Sequence, residues 1–578
     1  MNSNKYFRAL TVGAHTSRKT AISTTSSAEA AQKSRPVSTG AKKRTHQQKS
    51  LDETLTDRAK REAESDSEDD QDDTTPSGNG MDASSSEEEE PGLRVYSGAD
   101  VHEKGAPHRK RRNKLLRKSG ARVEQIRQEE INRKRKQNNI HVLGADVCEP
   151  IASFAELKLR YNITDQLLEN IANVGYAVPT PVQMQAVPIL LERREVLASA
   201  PTGSGKTAAF AIPILHALGK HKTVGYRAVV VSPTRELAKQ TFFEFQRLGA
   251  GMGYHIQFIS NTIKLEKLLR KKPSIAKKMD ILITTPNKLV HLLQDTEGKS
   301  PVISLENVEW LVIDESDKLF EAEKEGGFRD QLGVIYKACS SPRICRTLFS
   351  ATFAVEVEEW CKLNLNNVIM LSIGARNAAT EAVEQKLLFV GSTGAKVTAL
   401  RQLLKENFTP PILIFVQTKQ AAKELYREIG HEGFHADVIH SDRDQQERDR
   451  VVDSFRSGKL WTLIATDVLG RGVDFKGVNL VINYDFPRTS ISYIHRIGRA
   501  GRAGTKGKAI TLYTEKDYVL LRSVAKVIKR SGGEIPDFML QLPKATKSEK
   551  ERLQFRWNRR KTHTGKRKRP QKMPTKSS

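Results

Sequence analysis

The sequence predicts an α/β fold with two tandem parallel-sheet domains between charged, disordered extensions. Short apolar runs rich in Val and Ile alternate with helical patterns, and this alternation is typical of parallel sheets covered by helices on both faces. The runs form two series, and Ser372–Asn377 reads as the linker between them. A length of 578 residues allows two or three domains. We therefore assign an extension to residues 1–140, a first domain to 141–372, a second domain to 373–543 and a tail to 544–578.

The charge balance predicts a polyanionic partner. The chain has 95 Lys and Arg against 68 Asp and Glu, a formal net charge of +27, which suits nucleic acid or a membrane surface. No window reaches the roughly 18 apolar residues that a spanning helix needs, so we expect no membrane insertion. The four cysteines match no zinc-binding spacing and are typical of a reducing compartment.

Both ends lack the apolar periodicity of a packed fold. Residues 1–140 carry acidic blocks and then the basic clusters Arg109–Arg112 and Arg133–Lys136, which indicate nuclear import or attraction to nucleic acid. Residues 1–28 contain no acidic residue, so a mitochondrial transit peptide remains the alternative for this end. The tail holds fourteen Lys and Arg against two Glu and can add sequence-independent attraction to phosphates.

The first series contains a candidate phosphate-binding loop. Its apolar runs are 195–200, 227–232, 280–285, 308–314 and 346–350. The first run leads into a glycine turn, a Lys-Thr pair and a helix start, the order of a phosphate loop; the segment is Ala200, Pro201, Thr202, Gly203, Ser204, Gly205, Lys206 and Thr207. Ala200 replaces the usual first Gly, but the Gly-x-Gly-Lys-Thr core lets backbone N–H groups converge on phosphate oxygens. Taken alone, the loop could also be an ordinary strand-to-helix turn.

Another run of this series ends in carboxylates. Val308–Ile313 reads as a buried strand, and Asp314, Glu315, Ser316 and Asp317 follow it. Ligands of parallel sheets bind at the carboxyl ends of the strands. An acidic strand end together with a phosphate loop is the minimum apparatus for handling ATP or another nucleoside triphosphate with Mg²⁺.

The chemistry of each side chain indicates its role at this candidate nucleotide site. Lys206 is expected to supply a positive charge to the β- and γ-phosphates, and Thr207 and Asp314 to hold Mg²⁺. Glu315 is the candidate to orient and deprotonate the attacking water.

The second series has no phosphate loop. Its runs are 411–416, 435–440, 460–466, 479–484 and 508–513. The second domain must therefore contribute something other than the phosphate cradle.

Taken in order, the motifs of residues 150–540 resemble those of DEAD-box ATP-dependent RNA helicases of superfamily two. The elements that carry the resemblance are Gln183 with Phe154 and Tyr176 upstream, the phosphate loop, Pro233–Leu237, Thr285–Lys288, Asp314–Asp317, Ser350–Thr352, Gln445–Arg448, Ala465–Asp467, Arg471–Asp474 and His495–Arg502. The resemblance implies two RecA-like domains that bind ATP between them.

For the nucleotide site, the resemblance implies contacts from both domains. Gln183 would read the adenine edge, Phe154 or Tyr176 would pack on its face, and Asp474 would sense the ribose. Arg499 and Arg502 would act as arginine fingers, so that hydrolysis requires domain closure. The remaining members of the implied catalytic set are Asp317, Ser350, Thr352 and His495.

For RNA, the resemblance implies contacts to phosphate and sugar, which carry no sequence information. The implied contact residues are Thr234, Arg235, Thr285 and Thr466. The sequence departs from the family pattern at two places on this path: Ser260-Asn261 stands where a Gly-Gly pair is expected, and Asn287-Lys288 replaces Gly-Arg.

Within the family, the chain is most similar to the Rok-type helicases of small-subunit ribosome biogenesis. This similarity implies a nucleolar monomer that acts on pre-ribosomal RNA with a small nucleolar RNA and ribosome-assembly proteins. Two other functions remain open: an ATP-gated RNA clamp or scaffold with little unwinding, and a DEAD-box helicase of another RNA pathway. A motor on double-stranded DNA is disfavoured by the adenine-reading motif and the acidic box.

Overall fold

The computed structural model describes residues 108–294, 300–320, 327–378, 382–406, 409–467, 475, 477–502, 506–546 and 549, with side chains from Arg122 onward. Residues from Lys118 onward belong to one compact unit. Residues 1–107, which are most of the extension, and the tail after Glu549 lie outside the described residues, and so does Asp474.

The first domain is an eight-stranded sheet with helices on both faces. Its elements are α1 (His108–Gln137), β1 (Ile140–Leu143), α2 (Ala155–Tyr161), α3 (Asp165–Asn173), α4 (Pro181–Leu191), β2 (Val196–Ser199), α5 (Lys206–Leu218), β3 (Ala228–Val231), α6 (Arg235–Leu248), β4 (Ile256–Phe258), α7 (Thr262–Lys271), α8 (Ser274–Lys277), β5 (Ile281–Thr284), α9 (Pro286–Leu293), β6 (Trp310–Ile313), α10 (Ser316–Leu319), α11 (Phe328–Ala338), β7 (Cys345–Ser350), α12 (Val355–Asn364) and β8 (Ile369–Ile373). The strand order is β1-β8-β2-β7-β6-β3-β5-β4. All pairs are parallel except β1 with β8, which is antiparallel with Ile140 opposite Ile373.

The second domain is a six-stranded parallel sheet. Its elements are β9 (Val383–Phe389), α13 (Lys396–Glu406), β10 (Ile412–Phe415), α14 (Lys419–Ile429), β11 (Ala436–Ile439), α15 (Gln445–Arg456), β12 (Thr462–Ala465), β13 (Leu480–Asn483), α16 (Ser490–Ile497), β14 (Gly507–Tyr513), α17 (Tyr518–Arg530) and α18 (Phe538–Gln541). The strand order is β11-β12-β10-β13-β14-β9. The predicted two-domain α/β fold is thus confirmed.

Each sheet separates two apolar cores, because successive side chains of a strand point to opposite faces. On β3, Ala228 and Val230 belong to one core while Val229 and Val231 belong to the other. The strands of the second sheet divide in the same way. This two-sided burial explains why the central strands are continuous apolar runs rather than alternating ones.

The structure corrects two expectations at the domain ends. Residues 108–137, assigned above to the unstructured extension, form helix α1, which Ile131 anchors by its burial and Arg135 by a 2.9 Å hydrogen bond from Nε to Gln185 Oε1 on α4. Ser372 and Ile373, assigned to the linker region, are the last residues of β8. The first error arises because α1 is strongly polar and so lacks the apolar periodicity of a packed helix. The second arises because the pair β1–β8 joins residues more than 220 apart, which local patterns cannot show.

Among the described residues, no helix combines the length and the apolar composition that crossing a bilayer requires.

Candidate nucleotide and nucleic-acid site

The carboxyl edge of the first sheet brings six predicted motifs into one row. The loops after β2, β7 and β6 carry the phosphate loop, Ser350–Thr352 and Asp314–Asp317, and we call this part the acidic half. The loops after β3, β5 and β4 carry Thr234, Thr285 and Ser260, and we call this part the hydroxyl half. Since β6 and β3 are neighbours in the sheet, the two halves adjoin.

Backbone geometry holds the phosphate loop open. Gly203 and Gly205 have φ of +78° and +88°, in the left-handed region that side chains other than glycine rarely adopt. A Cβ on Gly205 would lie 2.5 Å from Gln183 Nε2, so that position also requires glycine for space. The loop ends at Lys206, where α5 begins.

Lys206 lies in the concave side of this loop. Its ammonium donates to the carbonyl oxygens of Ala200 at 2.8 Å and Pro201 at 3.1 Å. Burial lowers the pKa of Lys206, and the neighbouring carboxylates of Glu315 and Asp314 oppose that shift. The predicted phosphate-binding cation therefore faces the acidic strand end, as the sequence indicated.

Gln183 connects the start of α4 to the phosphate loop. Its Oε1 accepts the backbone N–H of Thr180 at 3.0 Å, and its Nε2 donates to the carbonyl of Gly205 at 3.1 Å. The two aromatic candidates also have protein contacts: Phe154 is buried in the core, and the Tyr176 hydroxyl donates to Glu244 on α6. The adenine contacts assigned to these three residues stay a prediction.

The acidic strand end is buried and crowded. Asp314, Glu315 and Asp317 are each at most 3% exposed. Glu315 has φ 48° and ψ 51°, a strained conformation for a residue other than glycine, and its N–H donates to Asp314 Oδ1 at 2.9 Å. Burial raises the pKa of the Asp314 carboxyl, and the charge of Glu315 raises it further.

His495 from the second domain completes this cluster. Its Nε2 lies 2.6 Å from Asp317 Oδ2, which also accepts the Thr352 hydroxyl at 2.8 Å; Ser350 Oγ in turn accepts the Thr352 N–H at 3.2 Å. His495 Nδ1 faces Glu315 Oε2 at 3.7 Å, and these two buried atoms have no hydrogen-bond partner among the described residues. A gap of 3.7 Å therefore remains between His495 Nδ1 and Glu315 Oε2, and no hydrogen bond closes it.

This cluster is better explained by hydrogen bonding than by metal binding. Glu315, Asp317 and His495 offer ligand atoms within 4.8 Å of one another. However, Asp317 Oδ1 already accepts the Lys318 N–H at 2.9 Å, and its Oδ2 accepts two further bonds. Thr207 and Asp314, the predicted metal ligands, lie outside this group.

The predicted arginine fingers lie against the phosphate loop. Arg502 donates from Nε to the Gly498 carbonyl at 2.9 Å, and a Cβ on Gly203 would lie 3.1 Å from Arg502 Cγ. Arg499 donates from Nε to the His495 carbonyl at 3.0 Å, and its charge lowers the pKa of Lys206. The phosphate loop also contacts the finger segment directly, since the Thr202 hydroxyl donates to the Gly498 carbonyl at 2.8 Å.

The hydroxyl half consists of helix starts. Thr234 caps α6 by accepting the Leu237 N–H at 3.3 Å, and Thr285 precedes α9. The guanidinium of Arg235 lies 5.9 Å from the centre of the Phe258 ring. Thr466 lies apart from these three, at the carboxyl end of β12 in the second sheet.

Lys288 fixes the loop after β4, where the family pattern has a flexible Gly-Gly pair and this chain has Ser260-Asn261. Its ammonium donates to the carbonyl oxygens of Ile259 at 2.9 Å and Ser260 at 3.0 Å. Asn261 Oδ1 caps α7 by accepting the Lys264 N–H at 3.0 Å. The two departures from the family pattern therefore contact each other.

Sequence reasoning missed a charged contact between the domains. Glu236 on α6 accepts bonds from Arg448 at 3.0 Å and Gln445 at 3.2 Å on α15, and Lys239 pairs with Asp449 at 3.1 Å. The motif Gln445–Arg448 was recognised, but the sequence gives no sign of its partner some 210 residues away.

Comparison with known proteins agrees with this geometry. Residues 180–360 match the family model described as DEAD/DEAH box helicase, and residues 395–504 match the helicase conserved C-terminal domain. The chain is 54% identical over 431 residues to a rat protein described as probable ATP-dependent RNA helicase DDX52, covering 75% of this chain and 71% of that protein. It is 41% identical over 432 residues to ATP-dependent RNA helicase ROK1 of Eremothecium gossypii, with 74% of each chain covered.

A solved structure of a more distant protein shares the fold. The chain superposes on Saccharomyces cerevisiae Dbp5 bound to RNA and ADP–BeF3 with a TM-score of 0.57 and 28% identity, covering 67% of this chain and 95% of the other.

Proposed function

Since the chain belongs to the DEAD-box family of ATP-dependent RNA helicases, in the group of DDX52 and ROK1, we propose that it couples ATP hydrolysis to local RNA strand separation during pre-ribosomal RNA processing for the small subunit. The observation that supports the catalytic part best is the contact of His495, Arg499 and Arg502 with the acidic half. A nucleotide bound at the phosphate loop would be enclosed by both domains.

The residues present fit Mg²⁺-ATP. The Thr207 hydroxyl and the Asp314 carboxylate are hard oxygen ligands of the kind that Mg²⁺ prefers. Burial and Glu315 raise the pKa of Asp314, which indicates a concentration of carboxylates that a divalent cation would stabilise. When bound, the ion would neutralise phosphate charge.

The catalytic candidates of this chain would each have a separate role in hydrolysis. Glu315 Oε2 and His495 Nδ1 face a common gap and would orient and deprotonate the attacking water. Asp317 and Thr352 hold the imidazole of His495 in place, as positioning residues. The two arginines would stabilise charge that develops on the transferred phosphoryl group.

RNA would control this step through domain closure. Thr234 and Arg235, proposed to contact the RNA backbone, begin α6, and the next residue along, Glu236, bonds to α15 of the second domain. An RNA that orders the start of α6 would therefore favour the closed arrangement, and by linkage ATP would favour RNA binding.

The cellular assignment rests on the group resemblance and on charge. We propose pre-ribosomal RNA and a small nucleolar RNA as the RNA partners, ribosome-assembly proteins as the protein partners, and the nucleolus as the location. Crosslinking the protein to RNA in cells and sequencing the bound fragments tests this part. Fragments drawn evenly from messenger RNA, or a mitochondrial location, would overturn it.

The catalytic proposal is tested by measuring ATP hydrolysis without nucleic acid, with single-stranded RNA and with single-stranded DNA of the same length. We expect stimulation by RNA only, displacement of a short RNA duplex that needs hydrolysable ATP, and no hydrolysis by Lys206→Ala. Strong stimulation by DNA would contradict the RNA assignment. Hydrolysis without any duplex displacement would instead favour the ATP-gated clamp.

A further inference from the structure

The linker between the two domains is bonded to the loop that follows β7. It starts after β8 with Gly374, whose N–H donates to the Asn139 carbonyl at 2.8 Å. Farther along, Asn377 Oδ1 accepts the backbone N–H of Phe353 at 3.0 Å. Phe353 directly follows Thr352 in the chain, so the linker contacts the loop that carries one member of the catalytic cluster.

Arg376 adds a second contact to the same loop. Its guanidinium carbon lies 4.7 Å from the centre of the Phe353 ring, within the distance at which a cation is attracted to an aromatic face. Its Nη2 lies 3.4 Å from Glu358 Oε2 on α12. Phe353 is 8% exposed and belongs to one of the apolar cores of the first sheet, so the ring gives Arg376 a fixed support. We call Arg376 and Asn377 the linker clamp.

The backbone of Asn377 is adapted to this bond. Its φ is 54°, in the left-handed region, which Asn and Asp adopt more readily than other residues with a side chain. A conformation of this kind persists where the surrounding structure compensates for it. Here the compensation is the acceptor that the N–H of the buried Phe353 requires.

The other end of the linker packs on the segment that carries the arginine fingers. A Cβ on Gly501 would lie 2.8 Å from Val383 Cγ2 and 3.1 Å from the Ala382 carbonyl oxygen. Gly501 stands between Arg499 and Arg502 in the sequence. One linker therefore contacts a catalytic loop of the first domain at its start and the finger segment of the second domain at its end.

We propose that the linker clamp is a positioning device for hydrolysis, which transmits the location of the finger segment to Thr352 and so to the catalytic cluster. The Thr352 hydroxyl donates to Asp317 Oδ2, which lies 2.6 Å from His495 Nε2. A displacement of the loop at Phe353 therefore alters the support of the His495 imidazole. The inference rests on the proposed function, because it names how domain closure driven by RNA reaches the hydrolytic residues.

Substitutions at Asn377 separate the hydrogen bond from the backbone conformation. Asn377→Gly keeps the left-handed φ but removes the acceptor, whereas Asn377→Asp keeps both. In the full chain at saturating RNA, we expect Asn377→Gly to lower kcat about tenfold, a usual loss for a positioning residue. Asn377→Asp should keep kcat near the wild-type value. Equilibrium binding of ATP, and of RNA without nucleotide, should change by less than about twofold, because the clamp acts on the catalytic step.

Asn367 provides the matched control. It also has a left-handed backbone, with φ 47°, but it is exposed and precedes β8, at the sheet edge opposite to Phe353. Asn367→Gly makes the same substitution in the same conformation and should keep the wild-type kcat. Arg376→Ala removes only the contact with the Phe353 ring and should lower kcat by about threefold, in keeping with an exposed cation–π pair.

A double-mutant cycle shows whether Asn377 acts through Thr352. In a Thr352→Ala background, Asn377→Gly should lower kcat by less than a further twofold or so, because residues that act through one chain of contacts are not additive. The full tenfold loss in that background would mean that Asn377 acts by another route.

Three outcomes overturn the linker clamp: a wild-type kcat in Asn377→Gly, an equal loss in Asn377→Asp, or an additive effect in the cycle. In each of these cases RNA still activates the wild-type protein, so the proposed function survives. If RNA does not activate the wild-type protein, the proposed function itself is wrong. Thermal unfolding of each variant identifies a purely structural bond, since a lowered Tm with a wild-type kcat would also overturn the positioning role.

Discussion

The acidic half and the hydroxyl half belong to one sheet edge, yet they are built in opposite ways. In the acidic half the charged side chains are buried and contact one another and the second domain. In the hydroxyl half short polar side chains cap helices and stay partly exposed. The difference suits the proposed tasks: phosphoryl transfer needs a water-excluded site with fixed charges, whereas backbone contacts to a solvated RNA strand need accessible donors.

The departures from the family pattern follow the same division. In the acidic half, Ala200, which stands where the phosphate loop usually has Gly, is small and 1% exposed, so the space around it excludes larger residues. In the hydroxyl half, Ser260-Asn261 and Asn287-Lys288 are larger and polar because they border solvent. Chain-specific recognition therefore has room to arise in the hydroxyl half and very little in the acidic half.

The largest expected effect comes from the arginines that the second domain inserts into the acidic half. Arg499→Ala should reduce kcat by about 10³-fold, because a finger stabilises charge that appears only in the transition state. ATP affinity should change little by comparison. Single-turnover hydrolysis and equilibrium nucleotide binding measure the two effects separately. Arg499→Lys is the control, since it keeps the charge but loses the planar fork. Equal losses in hydrolysis and affinity would contradict the role.

Glu315→Gln tests a side chain that the first domain itself contributes to the acidic half. The amide has the same shape and leaves the backbone turn unchanged, but it cannot take a proton, so kcat should fall by about 10²- to 10³-fold. Binding of ATP and RNA should persist, and the variant should accumulate as a stable ATP–RNA complex. A wild-type rate in Glu315→Gln would show that another group is the base.

The contact between α6 and α15 links the hydroxyl half to the second domain, and a charge swap measures its strength. Lys239→Glu places a carboxylate opposite Asp449, and RNA-stimulated hydrolysis should fall several-fold, since partly exposed pairs of this kind are worth about 1 kcal/mol at most. The double variant Lys239→Glu/Asp449→Lys should restore most of the rate if the pair acts across the domain boundary. Failure of this rescue would mean that each residue acts separately. Hydrolysis without RNA serves as the reference in all three proteins.

The same contrast explains what the sequence could and could not predict. The phosphate loop and the acidic strand end were predictable because each is a contiguous segment whose residues act together. The strands β1, β4, β8 and β9 were missed. Three of them, β1, β4 and β9, lie at sheet edges and are only partly buried, while β8 is a buried strand of five residues next to β1. The hydrogen bond of Gln183 to Gly205 and the pair Lys239–Asp449 depend on distances between segments, which residue patterns do not contain.

Glu315 and Lys288 show most clearly which features could not be predicted from the sequence. Glu315 was predicted as a catalytic base from charge and position alone. Its left-handed backbone, which turns the carboxylate towards His495, could not be foreseen because residues other than glycine rarely adopt it. Lys288 was noted only as a departure from the family, and its two carbonyl partners appear only in the fold.

The smallest expected effect is a pH dependence confined to the hydroxyl half. Burial lowers the pKa of Lys288 to about 8, and the charge of Arg235 adds to the shift. As pH rises from 7 to 9, Lys288 loses its proton in the folded protein while an unfolded chain keeps it. RNA attraction should therefore weaken by about threefold, even as this group makes folding slightly more favourable with pH. Fluorescence anisotropy of a labelled RNA at constant ionic strength measures the binding.

Lys288→Arg provides the matched control for this pH dependence, because a guanidinium stays charged over the whole range. Its RNA affinity should be flat between pH 7 and 9. The cysteines cannot mimic the effect, since burial raises the pKa of all four thiols well above this window. A wild-type affinity that does not change with pH, or the same slope in Lys288→Arg, would show that the Lys288 charge does not contribute to the RNA path. The hydroxyl half would then bind RNA through its neutral donors and Arg235 alone.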